Sequence, residues 1–176
     1  MRQILATITA LLVSTANAWT LQESVDVMTD KVTRQAVVAA TDGSTLTLLR
    51  RSDDSVWGYV KLSGMNQFMV NERLMMRIDK DKPVEFNDDL QRLMTKLRKP
   101  MPSWEWNPSL VGFHIWHGNP AQGCGMIKRL IESSTVLVRY HPNQSVTRDI
   151  LFNTDSNRHL IGEALGLEVA QCTGAN

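Results

Sequence analysis

From Thr20 to Asp79 the chain is written in short runs of β type, each cut off by a turn signal before it can become a long helix. The sharpest signal is Asp42-Gly43. An Asp-Gly pair between two apolar-rich runs closes a hairpin, because both residues tolerate the positive φ of tight turns. The flanking runs are 32–40 (VTRQAVVAA) and 44–50 (STLTLLR). In the second, Leu46 and Leu48 alternate with Thr45, Thr47 and Leu49. In 55–62 (SVWGYVKL), Val56, Gly58, Val60 and Leu62 fall on one face and Trp57, Tyr59 and Lys61 on the other. Two further strands are predicted over 20–28 (TLQESVDVM) and 67–79 (QFMVNERLMMRID). Short strands punctuated at close intervals predict an antiparallel meander or a sandwich-like sheet.

The pattern changes near Asn87. In 88–98 (DDLQRLMTKLR), Leu90, Leu93, Met94 and Leu97 recur at helical spacing, with acids in the first turn and bases in the last. Pro100 and Pro102 end this helix. Leu110 to Trp116 predicts a strand. Asn119-Pro120 then predicts a second helix, along which Cys124, Ile127, Leu130 and Ile131 share a face. TVLVRY (135–140) and TRDILF (147–152) predict a hairpin across 141–144. Ser156 is placed to cap a third helix, striped by Leu160, Ile161, Ala164 and Leu165, that Gly166 ends. The sum is one α+β domain over residues 19–176, mainly antiparallel, with about three helices.

Residues 1–18 (MRQILATITALLVSTANA) have one basic residue, an apolar core from Ile4 to Val13 and a small-x-small ending, Ala16-Asn17-Ala18. That is the grammar of a cleaved export signal, with cutting expected before Trp19. The apolar core is shorter than the roughly 20 residues that span a bilayer, and no second long apolar run follows it. The reading places the mature chain in the periplasm or outside the cell, with no transmembrane segment. Removing Arg2 leaves 18 basic against 18 acidic residues. A neutral chain without a basic stripe argues against nucleic acid. In an oxidising compartment, Cys124 and Cys172 read as one disulfide. It would close a loop of about 48 residues and add roughly 4 kcal/mol on the chain-entropy model.

Sites of chemistry are sparse. His114 and His117 in HIWHGN are the candidates for a metal pair. On a strand, though, a spacing of three sends them to opposite faces, and no acid or thiol cluster has ligand spacing. There is no G-x-S-x-G, P-loop or dinucleotide fingerprint. The adjacent acids Asp53-Asp54 and Asp88-Asp89 suit a turn and a helix start rather than an acid–base pair. Arg77 and Asp79 stand two apart in a predicted strand, so they share a face. They would pair with each other or with neighbouring strands, or Arg77 would grip a carboxylate from a partner. Trp104, Trp106 and Trp116 are candidate partner contacts, as are the methionines between 65 and 76.

A start on Trp19, the run L-x-L-L-R-R at 46–51, the strand ending R-I-D at 77–79, ESSTVLVRY, TRDILF and the near-terminal Cys172 form a recognisable order. It resembles the periplasmic VasI/TagO-like proteins linked to type VI secretion, and more broadly the invasion-associated locus B envelope proteins. The chain departs from that pattern after the third strand. It has Arg50-Arg51-Ser52 where a cysteine would be expected, and its Cys124 lies in a Gly-Cys-Gly segment. The resemblance implies an exported accessory or binding domain with no known catalytic residues, and the sequence as a whole is read as needing no cofactor and meeting a protein partner in the cell envelope. The alternatives of other classes are a metal-assisted envelope hydrolase using His114 or His117, and an inhibitor of a secreted enzyme.

Overall fold

A computed structural model describes residues 18–26, 28–68, 74–85, 106–116 and 124–167, with Trp106 and Asn107 followed in backbone only. Residues 1–17 of the expected export signal (1–18), the helix expected over 88–98, Trp104, His117 and Cys172 lie outside the described residues, as does the expected helix start at Asn119-Pro120. Along the described chain run β1 (Thr20–Asp26), β2 (Lys31–Ala39), β3 (Thr45–Arg50), β4 (Val56–Lys61), β5 (Met75–Ile78), β6 (Val84–Glu85), β7 (Trp106–Asn107) and β8 (Leu110–Trp116). They are followed by helix α1 (Met126–Glu132), β9 (Thr135–Asn143), β10 (Val146–Asn153) and helix α2 (His159–Leu165). Every strand pairing is antiparallel. One sheet has the order β1-β2-β3-β4-β8-β7, and the second β10-β9-β5-β6. The expected antiparallel, strand-dominated architecture is present, as two sheets with two helices among the described residues.

The Asp42-Gly43 hairpin forms where the sequence placed it. Gly43 takes φ 82°, the Ala40 amide donates to the Ser44 carbonyl at 2.8 Å, and the Asp42 carboxylate accepts the Ser44 amide at 2.8 Å. β4 is the central strand of its sheet, paired to β3 on one side and β8 on the other. Leu46, Leu48 and Val60 point inward as the alternation requires, and all are fully buried. Gly58 lacks a side chain because Phe113 occupies the space: a Cβ there would stand 2.4 Å from the Phe113 ring.

Both sheets and both helices contribute to one continuous core. α2 packs on β1, β2 and β3, and α1 on β8. Trp19 is fully buried in that core. Its amide donates to the Ser156 carbonyl at 3.2 Å, and its carbonyl accepts the Asn157 side-chain amide at 3.3 Å. Arg50 reaches the carbonyl end of α2, donating to Leu165 and Gly166. A cation there complements the helix dipole.

Four local expectations need correction. Ser156 does not cap α2: the helix starts at His159, Arg158 precedes it with no side-chain cap, and the Ser156 carbonyl holds Trp19 instead. Cys124 is not helical. It precedes α1, and Gly125 turns the chain with φ 50°, although Cys124 still packs against the core. The expected turn at 141–144 is displaced, because β9 continues to Asn143, whose side chain accepts the Ser145 amide. Finally, the strand expected over 67–79 is confined to β5 among the described residues, and it stops at Ile78.

Candidate functional site

That last boundary separates Arg77 from Asp79. Because the chain leaves the strand at Ile78, Asp79 takes φ 47°, a conformation that Asp adopts more readily than most residues. Its carboxylate then turns to the start of β9. One oxygen accepts the Ser134 amide at 3.0 Å, the Thr135 amide at 2.8 Å and the Thr135 hydroxyl at 3.2 Å. The Asp79 amide donates in turn to the Thr135 carbonyl at 2.9 Å. Asp79 is therefore a clasp between two chain segments and makes no ion pair with Arg77. The clasp stands at the end of the register that sets Arg77 opposite Leu137 and Met75 opposite Arg139.

Register defines the outer face of the four-stranded sheet. One row across it reads Glu85, Met75, Arg139, Asp149, and the next reads Arg77, Leu137, Leu151. Val136, Val138, Ile150, Met76 and Ile78 point the other way, into the core. In the first row Arg139 grips Asp149 in a two-pronged pair, Nε to Oδ1 and Nη2 to Oδ2, each at 2.7 Å. The Asp149 carboxyl is held below its ordinary range, mainly by the Arg139 hydrogen bonds, with a smaller pull from the Arg77 charge. In the second row Arg77 is exposed and Leu151 is 50 % exposed. A small depression of about 60 Å³, open to solvent, lies here, lined by Met75, Met76, Arg77, Pro83, Leu137 and Arg139.

Arg77 makes no hydrogen bond or ion pair among the described residues, which no other described arginine shares. Arg34 holds Glu23, Arg50 holds Asp54 and the end of α2, and Arg129 holds Asp81. Arg139 holds Asp149, Arg148 donates to the Asn66 side chain at 2.6 Å, and Arg158 donates to the Ser134 hydroxyl at 3.3 Å. Arg51 lies over Trp57, 3.8 Å from the ring centroid, and donates to the Tyr59 hydroxyl.

The Arg51 cluster went unrecognised in the sequence. It occupies the outer face of β4, where Trp57 is 5 % and Tyr59 8 % exposed. The Trp57 indole N–H donates to the Ser55 hydroxyl at 3.0 Å, and that hydroxyl donates to Asp53 at 2.5 Å. The Tyr59 ring covers Gly112, where a Cβ would stand 2.8 Å from it. His114 meets Trp57 edge to face, ring centroids 5.6 Å apart. The available signal was the face shared by Trp57 and Tyr59 with a cation just before their strand.

The other sequence candidates scatter. His114 is occupied with Trp57, and no three His, Cys, Asp or Glu side chains converge on a metal-sized space among the described residues. Trp116 is 6 % exposed and belongs to the core. Trp106 pairs with Val111 through β7. Met76 and Phe68 are buried, whereas Met65 stands in solvent and Met75 lies partly exposed beside Arg77. No helix among the described residues is long and apolar enough to cross a membrane.

No family model, curated protein or solved structure matches the chain.

Proposed function

We propose that the chain is an exported, non-catalytic binding or accessory protein of an envelope or secretion assembly, and that it meets a protein partner through the outer face of the β10-β9-β5-β6 sheet. The observation that carries this reading is Arg77. It is an exposed guanidinium without a hydrogen-bonding partner among the described residues, set between Met75, Leu137 and Pro83. Arginine beside apolar side chains is the composition of an interface anchor. Export is supported by the residue after the cleavage site. A mature chain starting at Trp19 keeps that core tryptophan and its bonds to Ser156 and Asn157. A Cys124–Cys172 disulfide is supported by the two-cysteine count and by Cys124 not being a free thiol. The resemblance to periplasmic type VI secretion-associated proteins fits an accessory role.

The test is photocrosslinking in intact cells from a reactive amino acid at Leu151 of the tagged full-length chain. One reproducible envelope protein, lost when Arg77→Ala is added, is the expected result. Labelling that does not depend on Arg77, or no specific product, would sink the reading.

A further inference from the structure

We infer that the group recognised by Arg77 is a carboxylate, carried between apolar side chains on an extended protein segment. The inference rests on the reading of this face as the contact surface, and goes further by assigning the chemistry of what binds.

Charge comes first. Two guanidinium groups, Arg77 and Arg139, lie in adjoining rows, and Asp149 stands beside Arg139 on the strand farther from Arg77. Both Asp149 oxygens are already taken by Arg139. Glu85, at the other end of its row, carries an interaction of its own. Asp79 spends its carboxylate on the Ser134 and Thr135 amides, and Asp81 spends its own on Arg129. Lys80 and Lys82, in the turn beyond Arg77, are exposed and add further positive charge. Among the described residues, the Arg77 end of the face is thus a cation whose neighbouring carboxylates have partners of their own. A planar guanidinium presents two parallel donors that match a carboxylate.

Shape comes second. Leu137 stands one strand from Arg77 and Leu151 two strands away. Strands lie about 4.8 Å apart, so the leucines sit roughly 5 and 10 Å from Arg77. Side chains two apart on an extended segment are separated by about 7 Å. A segment with a carboxylate at one position and an apolar residue two positions away would seat the first on Arg77 and the second between the leucines. A free anion would leave Leu137 and Leu151 unused, and a neutral apolar segment would leave Arg77 desolvated without a partner.

The experiment is an NMR titration of the isotope-labelled mature chain with acetyl-Leu-Ser-Glu-Ser-Leu-amide, its Glu→Gln counterpart and inorganic phosphate. The expected result is movement of the Arg77 Nε–H signal and of the Leu137 and Leu151 methyls. Affinity should fall at least about tenfold for the Gln peptide, as for a lost charge-assisted pair. Arg77→Gln, with its fold checked by the dispersion of the amide spectrum, should abolish the difference between the peptides. Equal binding of Glu and Gln peptides, shifts mapping elsewhere, or phosphate binding as tightly as the Glu peptide would each overturn the inference. If these fail while Leu151 still crosslinks an envelope partner through Arg77, the contact face stands and the carboxylate chemistry falls. If the crosslink fails as well, both fall.

Discussion

The two sheets present outer faces of opposite kinds. On the six-stranded sheet, the outer face of β4 is closed: Arg51 lies over Trp57, and Asp53, Ser55 and the indole N–H form a chain of hydrogen bonds. On the four-stranded sheet, Arg77 faces water beside Leu137 and the half-exposed Leu151. Each face carries an arginine set among apolar side chains. One arginine is used up within the fold, and the other makes no hydrogen bond or ion pair among the described residues. Where the fold consumes its own cation and aromatics, the face is structure. Where it leaves a cation unmatched among the described residues, the face is the proposed place of contact.

The largest way to break this comparison is Trp57→Ala. A buried tryptophan with a satisfied N–H costs about 3–5 kcal/mol when truncated. Urea denaturation should show a loss of that order, whereas Leu151→Ala on the open face should stay within about 0.5 kcal/mol. Comparable losses at both positions would erase the distinction.

A smaller effect is expected at the clasp. Asp79→Ala removes the acceptor for two amides and puts a Cβ residue with no compensating bond at φ 47°. The expected cost is about 1–2 kcal/mol, close to that of losing a helix cap plus the left-handed penalty. Asp79→Gly should recover the backbone part alone. A melt unchanged in both variants would show that the β5–β9 register is held by other means.

The arrangement behind these numbers was only partly legible in the sequence. Period-two alternation fixed which residues of β3 and β4 share a face, and Asp42-Gly43 fixed the hairpin joining β2 to β3. Alternation cannot say whether a second face is covered, so Trp57 and Tyr59 read as one side of a strand rather than as buried residues. The shared face expected for Arg77 and Asp79 failed for a local reason. Side-chain bonds to Ser134 and Thr135, fifty-five and fifty-six residues away, draw Asp79 out of the strand. The freedom of Arg77 was invisible in the sequence. It depends on where every other nearby carboxylate goes, which is a property of long-range register.

Acid should touch the closed face in a way that sharpens the contrast. The Asp53 carboxyl is held below its ordinary range, first by the Ser55 hydroxyl and then by the Ser55 amide. A depressed folded-state value means the contribution is full above about pH 3.9, the unfolded value, and is lost as pH falls through the folded one. Trp57 fluorescence should change in that window as its hydrogen-bond chain loosens, and Asp53→Ala should remove that part of the change. The effect on stability is small because Asp53 is exposed. A fluorescence profile identical in the two proteins would uncouple Asp53 from the indole.

The most direct measurement is the urea stability of Arg77→Ala beside that of the parent chain. An arginine without a hydrogen bond or ion pair among the described residues should leave stability within about 0.5 kcal/mol of the parent. A loss above about 1 kcal/mol would show that the fold depends on Arg77, and the open face would then be structure like the closed one.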